Sequence, residues 1–209
     1  MINNFEFKII ETMEEQVVDL FKNSYTAKYN KNFKFNKIIW SHLERQSLHL
    51  GLYNKKNLVS YLRLSLIHDF YSLHYEVQLN LNKNMDLVPC ALTTRACTDL
   101  KFQNLNLHKI LRLRALEIIN FLNIDNLFCT LEKKSNQYSN LIKLGYKPVI
   151  SSKSWNDSYI ENNSDVVLMN LKGHMNIQAA IENLTHQLKI ENLRFDSKTA
   201  EIIKNTLNM

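Results

Sequence analysis

The sequence predicts an α/β (α+β) fold: a mixed sheet with helices packed on its faces and a helical extension at the C-terminus. Two patterns carry this. Between residues 91 and 171, extended apolar runs alternate with segments of helical period, as strands joined through helices do. After Gly173, apolar residues recur at Ile177, Ile181, Leu184 and Leu188 and again at Ile202, Ile203 and Leu207, two amphipathic helices. With 209 residues the chain is long enough for one domain with a sizeable core and short for two. The expected division is residues 1–172 for the sheet domain and 173–209 for the extension.

Phe5 to Glu11 alternate apolar and polar side chains and predict a first strand. Thr12, with Glu15 three residues on, makes a capping box for a helix carrying Val17, Val18, Phe21, Tyr25 and Tyr29. The aromatic-rich stretch 30–47 is assigned a short helix near Ile38–Glu44. Residues 47–54 and 57–67 read as strands around a hairpin turn at Asn54–Asn57. Tyr71–Leu79 reads as another extended stretch, and Pro89 opens a strand on which Ala91, Thr93, Arg95 and Cys97 are expected on one face. A strong apolar helix runs from Leu107 to near Asn123, followed by a short buried strand at 126–131. The next helix starts at Ser135 or Asn136 and stops at Gly145, just before Pro148. Residues 164–171 form a last strand, and Asp196 or Ser197 caps the final helix. Only three Gly and two Pro are present, so Asn, Asp and Ser must make most turns.

Composition excludes several classes. No apolar run reaches the length of a membrane span. The N-terminus MINNFEFKII lacks the pattern of a secretory signal. Cys90, Cys97 and Cys129 are odd in number and lack CxxC spacing, which argues against a disulfide framework or a zinc site and for a reduced cytoplasm. The net charge is +6. Residues 173–209 hold four basic and four acidic residues, so the excess lies in 1–172, where Lys101, Lys109, Arg112 and Arg114 cluster without an intervening acid. Such a cluster suits an anionic partner, phosphate first, or is a solvated helix face. No long basic run or DNA-reading motif points to nucleic acid.

Two segments carry a family resemblance. Gln103-Asn104-Leu105-Asn106-Leu107-His108 links a core strand to a long helix and resembles the loop of the GNAT superfamily of N-acyltransferases, which usually places small residues, mostly Gly, where Asn106 and His108 stand. Leu144-Gly145-Tyr146 resembles the Leu-Gly-Phe of the family's later helix, although the tyrosine many members use as general acid falls at Leu141 here, with Tyr138 one turn earlier. The element order is also the family's, which implies a central, mostly antiparallel sheet. Tyr61-Leu62-Arg63-Leu64 and Thr94-Arg95-Ala96-Cys97 further resemble strands of acyl-homoserine lactone synthases and N-acyl amino acid synthases. Those relatives take long acyl chains, often from acyl carrier protein. The acidic residue they place before Ser-Arg falls at Leu92 or Thr93 here, and their Arg-x-x-x-Phe is absent from the first helix.

The resemblance implies transfer of an acyl group from a thioester, on coenzyme A or on acyl carrier protein, to an amine of an amino acid or small molecule. No cofactor would be held permanently and no metal is called for; the protein would be a monomer or homodimer. Gln103, Asn104, Asn106, His108, Lys109 and Arg112 would hold the donor's phosphates at a helix N-terminus. Backbone N–H groups near Cys97 and Thr98 would stabilise the oxyanion. Arg63 and Arg95, in otherwise apolar strands, either pair with carboxylates or receive an anionic substrate group. Glu76 is the general-base candidate, with His74 as a substitute, and Tyr138 the candidate acid. Cys97 is either a nucleophile or core packing. The alternative to an enzyme is an inactive GNAT-like binding or regulatory module.

Overall fold

Alternating side chains build the sheet, and helical stripes cover it. The computed structural model describes residues 4–11, 15–29, 42–83, 85–152, 155–157, 160–162 and 165–207. The elements are β1 (Phe5–Ile10), α1 (Glu15–Tyr29), α2 (His42–Arg45), β2 (Ser47–Asn54), β3 (Asn57–Ile67), α3 (Phe70–Val77), β4 (Cys90–Thr98) and α4 (Leu107–Phe121). They continue with β5 (Asn126–Glu132), α5 (Asn136–Lys143), β6 (Lys147–Ser152), β7 (Trp155–Asp157), β8 (Ile160–Asn162), β9 (Val166–Lys172), α6 (His174–Leu188) and α7 (Ser197–Thr206). Seven strands form one sheet in the order β1-β2-β3-β4-β5-β9-β6, and β7 and β8 pair as a separate ribbon. Within the large sheet only β4 and β5 run parallel, so it is mixed and mostly antiparallel.

The pleat sends alternate side chains of β2 and β3 to opposite faces. On one face Leu48, Leu50, Leu52, Leu62 and Leu64 join Val167, Met169 and Leu171 in the main core, against α4. Buried residues surround α4: Leu107, Ile110, Leu111, Leu113, Ala115, Leu116, Ile118 and Ile119. A helix apolar all round must be covered all round. The sheet covers one side of it, and Ile177, Ala180, Ile181, Leu184 and Leu188 of α6 belong to the same core. Ile203 and Leu207 complete that core, and Phe121 stacks on Phe195 with ring centroids 4.4 Å apart. The C-terminal helices therefore pack within the chain.

The opposite face carries α1, α2 and α3. It has two smaller apolar clusters, one around Val17, Leu20, Phe21 and Tyr61, the other around Ile67, Leu73, Val77 and Leu92.

Three expectations are corrected. Residues 71–79 are not a strand: Asp69 caps α3 by accepting from the Ser72 N–H at 3.0 Å, and Leu73 and Val77 face inward at helical spacing. Arg95 sits at φ 56, inside a bulge of β4, so the strand's face alternation breaks there. Ala91 consequently joins the α4 core, whereas Cys97 joins the α1 cluster. A further strand, β6, follows Gly145, whose φ of 92 makes the turn. The expected helix near Ile38–Glu44 is described as His42–Arg45, while Thr12 of the capping box and residues 30–41 lie outside the described residues.

Candidate active site

The sheet opens between β4 and β5. Their parallel ladder holds only Ala91–Thr93 against Leu127–Cys129. Beyond it β5 stays with β9 along its whole length, and β4 stays with β3. The bulge is the local cause: Thr94 pairs with Arg63 and Cys97 with Tyr61, three steps on β4 against two on β3, which bends and twists the bulged strand. The backbone from Thr94 to Thr98 thus borders a V-shaped gap without a β5 partner. Because the Asp99 N–H donates to the Val59 carbonyl at 2.9 Å, strand alternation turns the Thr98 N–H away from β3, into the gap. The Thr98 side chain is occupied elsewhere: its Oγ1 lies 2.8 Å from Ser60 Oγ.

The loop after β4 leads from this gap to α4. Asn104 and Asn106 adopt φ values of 66 and 60, so asparagine takes the left-handed positions for which glycine is the usual residue. The N–H groups of Leu105, Asn106, Leu107 and His108 have no acceptor among the described residues, and they stand at the positive end of a fifteen-residue helix. His108 Nε2 lies 3.1 Å from an Arg112 nitrogen. Guanidinium only donates, so Nε2 accepts and the imidazole proton sits on Nδ1. Burial, with Arg112 beside it, pushes the His108 pKa down to about 3.

The basic run is largely turned inward, which corrects the expectation of a basic surface. Arg112 is buried, with Nη1 3.3 Å from the Tyr146 hydroxyl and 3.9 Å from Cys129 Sγ. Arg114 donates to Glu117 at 2.8 Å and to the Glu191 carbonyl at 3.1 Å. Lys101 is exposed, and half-buried Lys109 reaches Gln187 of α6 at 3.5 Å. Gln103 is exposed at the loop's start.

On the α1–α3 face, polar rows oppose each other: Ser47 pairs with Ser65, His49 with Arg63 and Gly51 with Tyr61. Buried Arg63 bridges Glu44 and Glu76 and donates to Thr94 Oγ1 at 2.9 Å. Glu44 also pairs with Arg95 at 2.7 Å. The result is a chain of alternating charge, Glu76–Arg63–Glu44–Arg95. Its middle is sealed, with 1% and 3% side-chain exposure at Arg63 and Glu44, while the ends open slightly, 12% at Glu76 and 13% at Arg95. His49 Nε2 lies 2.8 Å from the Glu44 carbonyl, which can only accept, so Nδ1 accepts from the Tyr61 hydroxyl at 2.7 Å. Burial lowers the His49 pKa to about 4 and raises that of Tyr61.

Glu76 therefore lies on a helix and is ion-paired, and neighbouring His74 is exposed. Tyr138, in the first turn of α5 beyond the Ser135 cap, is half-buried against the main core. Burial of Cys97 raises its thiol pKa, which disfavours the nucleophilic thiolate. Sequence reasoning missed Glu44, His49, Tyr61 and Tyr146. The polar alternation Ser47-His49-Gly51 facing Tyr61-Arg63-Ser65 was a usable signal for β2 and β3; Tyr146 was marked only as part of Leu144-Gly145-Tyr146, with no partner indicated, and nothing local marked Glu44.

A mixed sheet split beside a loop of left-handed asparagines, with helices on both faces, is a recognisable architecture. It is the fold of the GNAT superfamily. No family model and no curated protein matches the sequence. Among solved structures, the ribosomal-protein-S18-alanine N-acetyltransferase from Escherichia coli aligns with a TM-score of 0.59 at 10% identity, over 80% of this chain and 93% of that one. FeeM, an N-acyl amino acid synthase from uncultured soil microbes, aligns with a TM-score of 0.58 at 14% identity, over 88% of this chain and 94% of that one. The PaiA N-acetyltransferase from Thermoplasma acidophilum, solved in complex with coenzyme A, gives 0.52 at 16% identity, over 80% and 98%. At such identities the likeness establishes the fold. Among the described residues no helix is long and apolar enough to cross a membrane.

Proposed function

We propose that the protein transfers an acyl group from a thioester to an amine. The observation that carries this reading is the gap between β4 and β5, bordered by the Thr98 N–H and leading to a loop of free N–H groups. A thioester donor laid through the gap places its phosphates at residues 103–108 and its carbonyl at the Thr98 amide. The amine attacks the carbonyl carbon, the oxyanion is held by that N–H, and the thiolate leaves as the C–S bond breaks. Glu76 keeps one carboxylate oxygen that Arg63 does not use, and it is the proposed acceptor of the amine's proton.

Coenzyme A is the preferred donor, because Arg112 and Arg114 turn inward and leave little basic surface for an acidic carrier protein. The charged chain supports an amino acid as acceptor: its Glu76 end suits an ammonium and its Arg95 end a carboxylate. An acyl chain longer than acetyl is supported by the Arg63 and Arg95 resemblance; the aromatic stretch around Trp40 lies outside the described residues. A second reading, a non-catalytic binding module, is favoured by buried Leu141 at the usual acid position.

Thiol release from acyl-CoA of two to twelve carbons, with free amino acids and simple amines as acceptors, separates these readings. Acceptor-dependent release is expected, faster with eight or more carbons than with acetyl. Tight coenzyme A binding without release from any donor would establish the binding module instead.

A further inference from the structure

The two edges of the large sheet are built differently. β6 carries Pro148, and its register with β9 shifts between Pro148 and Ile150. Proline and bulges are common devices that keep an edge strand from pairing further. β1 has neither. Its six residues pair with β2 without a shift, and among the described residues no other strand pairs with it. Alternate residues of an antiparallel edge strand point their N–H and C=O groups outward, so β1 offers an open ladder to a further strand.

The side chains of β1 determine which strand fits. Glu6 and Lys8 share one face, 61% and 49% exposed, and pair with each other at 3.0 Å. Phe5, Phe7 and Ile9 lie half-buried on the other face, against the main core. A lysine on an edge strand ordinarily repels a second copy of itself. Here Glu6 reverses that effect in one register. With two copies of β1 antiparallel about a two-fold axis at Phe7, Glu6 faces the partner's Lys8 and Lys8 faces the partner's Glu6. On the opposite face Phe7 meets the partner's Phe7, and Phe5 meets the partner's Ile9. A slip of two residues sets Glu6 against Glu6 or Lys8 against Lys8, and a slip of one sends the apolar row to the charged face.

We propose that the protein forms a symmetric dimer through β1, which joins two seven-stranded sheets edge to edge. The interface is isologous, with each copy giving the same strand and each charge pair occurring twice. The strand ends agree with it. Glu11, just past Ile10, comes to the end of the partner's β1 beside Asn54 and the Lys55–Lys56 turn, a further attraction at longer range. A six-residue ladder is a small interface, so the association is of micromolar strength.

Sedimentation of the full chain over about 1 to 300 µM tests this, with exposed-residue variants that leave the core untouched. The parent should pass from monomer to dimer within that range. Glu6→Lys and Lys8→Glu should each weaken the dimer by at least about tenfold, because each turns two attractive pairs into repulsive ones. The double variant, Glu6→Lys with Lys8→Glu, should regain parent affinity, since every charge again faces its opposite. A mixture of the two single variants should form the heterodimer in preference to either homodimer. Amide exchange in β1 should slow as concentration rises, while that in β6 should not change.

A parent that is monomeric throughout overturns the proposal, including one whose β1 takes up a strand of another protein. A dimer indifferent to both single reversals, or one that the double variant fails to restore, also overturns it by placing the interface elsewhere.

Discussion

His49 reports on the interior of the sheet face that carries α1, α2 and α3. It is 4% exposed, donates to the Glu44 carbonyl and accepts from Tyr61, and its pKa is about 4 rather than 6.5. Between those two values the unfolded chain binds a proton that the folded chain refuses, so stability falls as pH falls through that window. The shift corresponds to about 3 kcal/mol, fully lost only below the folded pKa. His49→Gln retains a donor for the Glu44 carbonyl without that titration. Its stability deficit relative to the parent should therefore shrink by about 3 kcal/mol between pH 7 and pH 4, measured by urea unfolding. A deficit that stays constant with pH would mean that folding leaves the His49 pKa unshifted. Partners at this scale were not legible in the sequence. Arg63 and Arg95 were visible as charges in apolar strands, but Glu44 and Glu76 reach them from separate helices, and no short-range pattern encodes that.

At the scale of elements, α6 acts as the outer cover of α4. Leu184 is 1% exposed in the shared core, whereas Met175 at the other end of α6 is 80% exposed. Leu184→Ala should cost about 2–5 kcal/mol and Met175→Ala less than about 0.5 kcal/mol, read from chemical denaturation. Similar small effects would show that α6 is an independent tail. Elements with a clean period were legible: β2 and β3 lie on the residues their alternation indicates, and Asp196 caps α7 through its bond to the Thr199 N–H. Eight-residue α3 was misread because Tyr71–Leu79 satisfies both periods; the Asp69 cap was the deciding signal. The bulge at Arg95 left no sequence mark, since positive φ at arginine has no compositional signature. The loop to α4 was legible through its asparagines, but the inward turn of Arg112 and Arg114 depends on Tyr146 and Glu117, residues apolar patterning does not orient.

Across the whole molecule the sheet has two unlike faces. One face presents α4 and its open N-terminus, the other the charged chain from Glu76 to Arg95, and the gap between β4 and β5 joins them. The net charge of +6 is spread rather than focused, because much of the basic run at 101–114 is spent internally on Glu117, Tyr146 and the Glu191 carbonyl. In the proposed reading, recognition of the donor rests on oriented N–H groups more than on a charged surface. That claim is tested most directly by backbone amide resonances followed while coenzyme A is added to the isotope-labelled chain. The account predicts that the amides of Thr98 and of residues 104–108 shift together and saturate at one affinity, while those of α3 and α6 remain in place. Saturating shifts centred elsewhere, for example at the Lys55–Lys56 turn, or no shifts at millimolar coenzyme A, would contradict it.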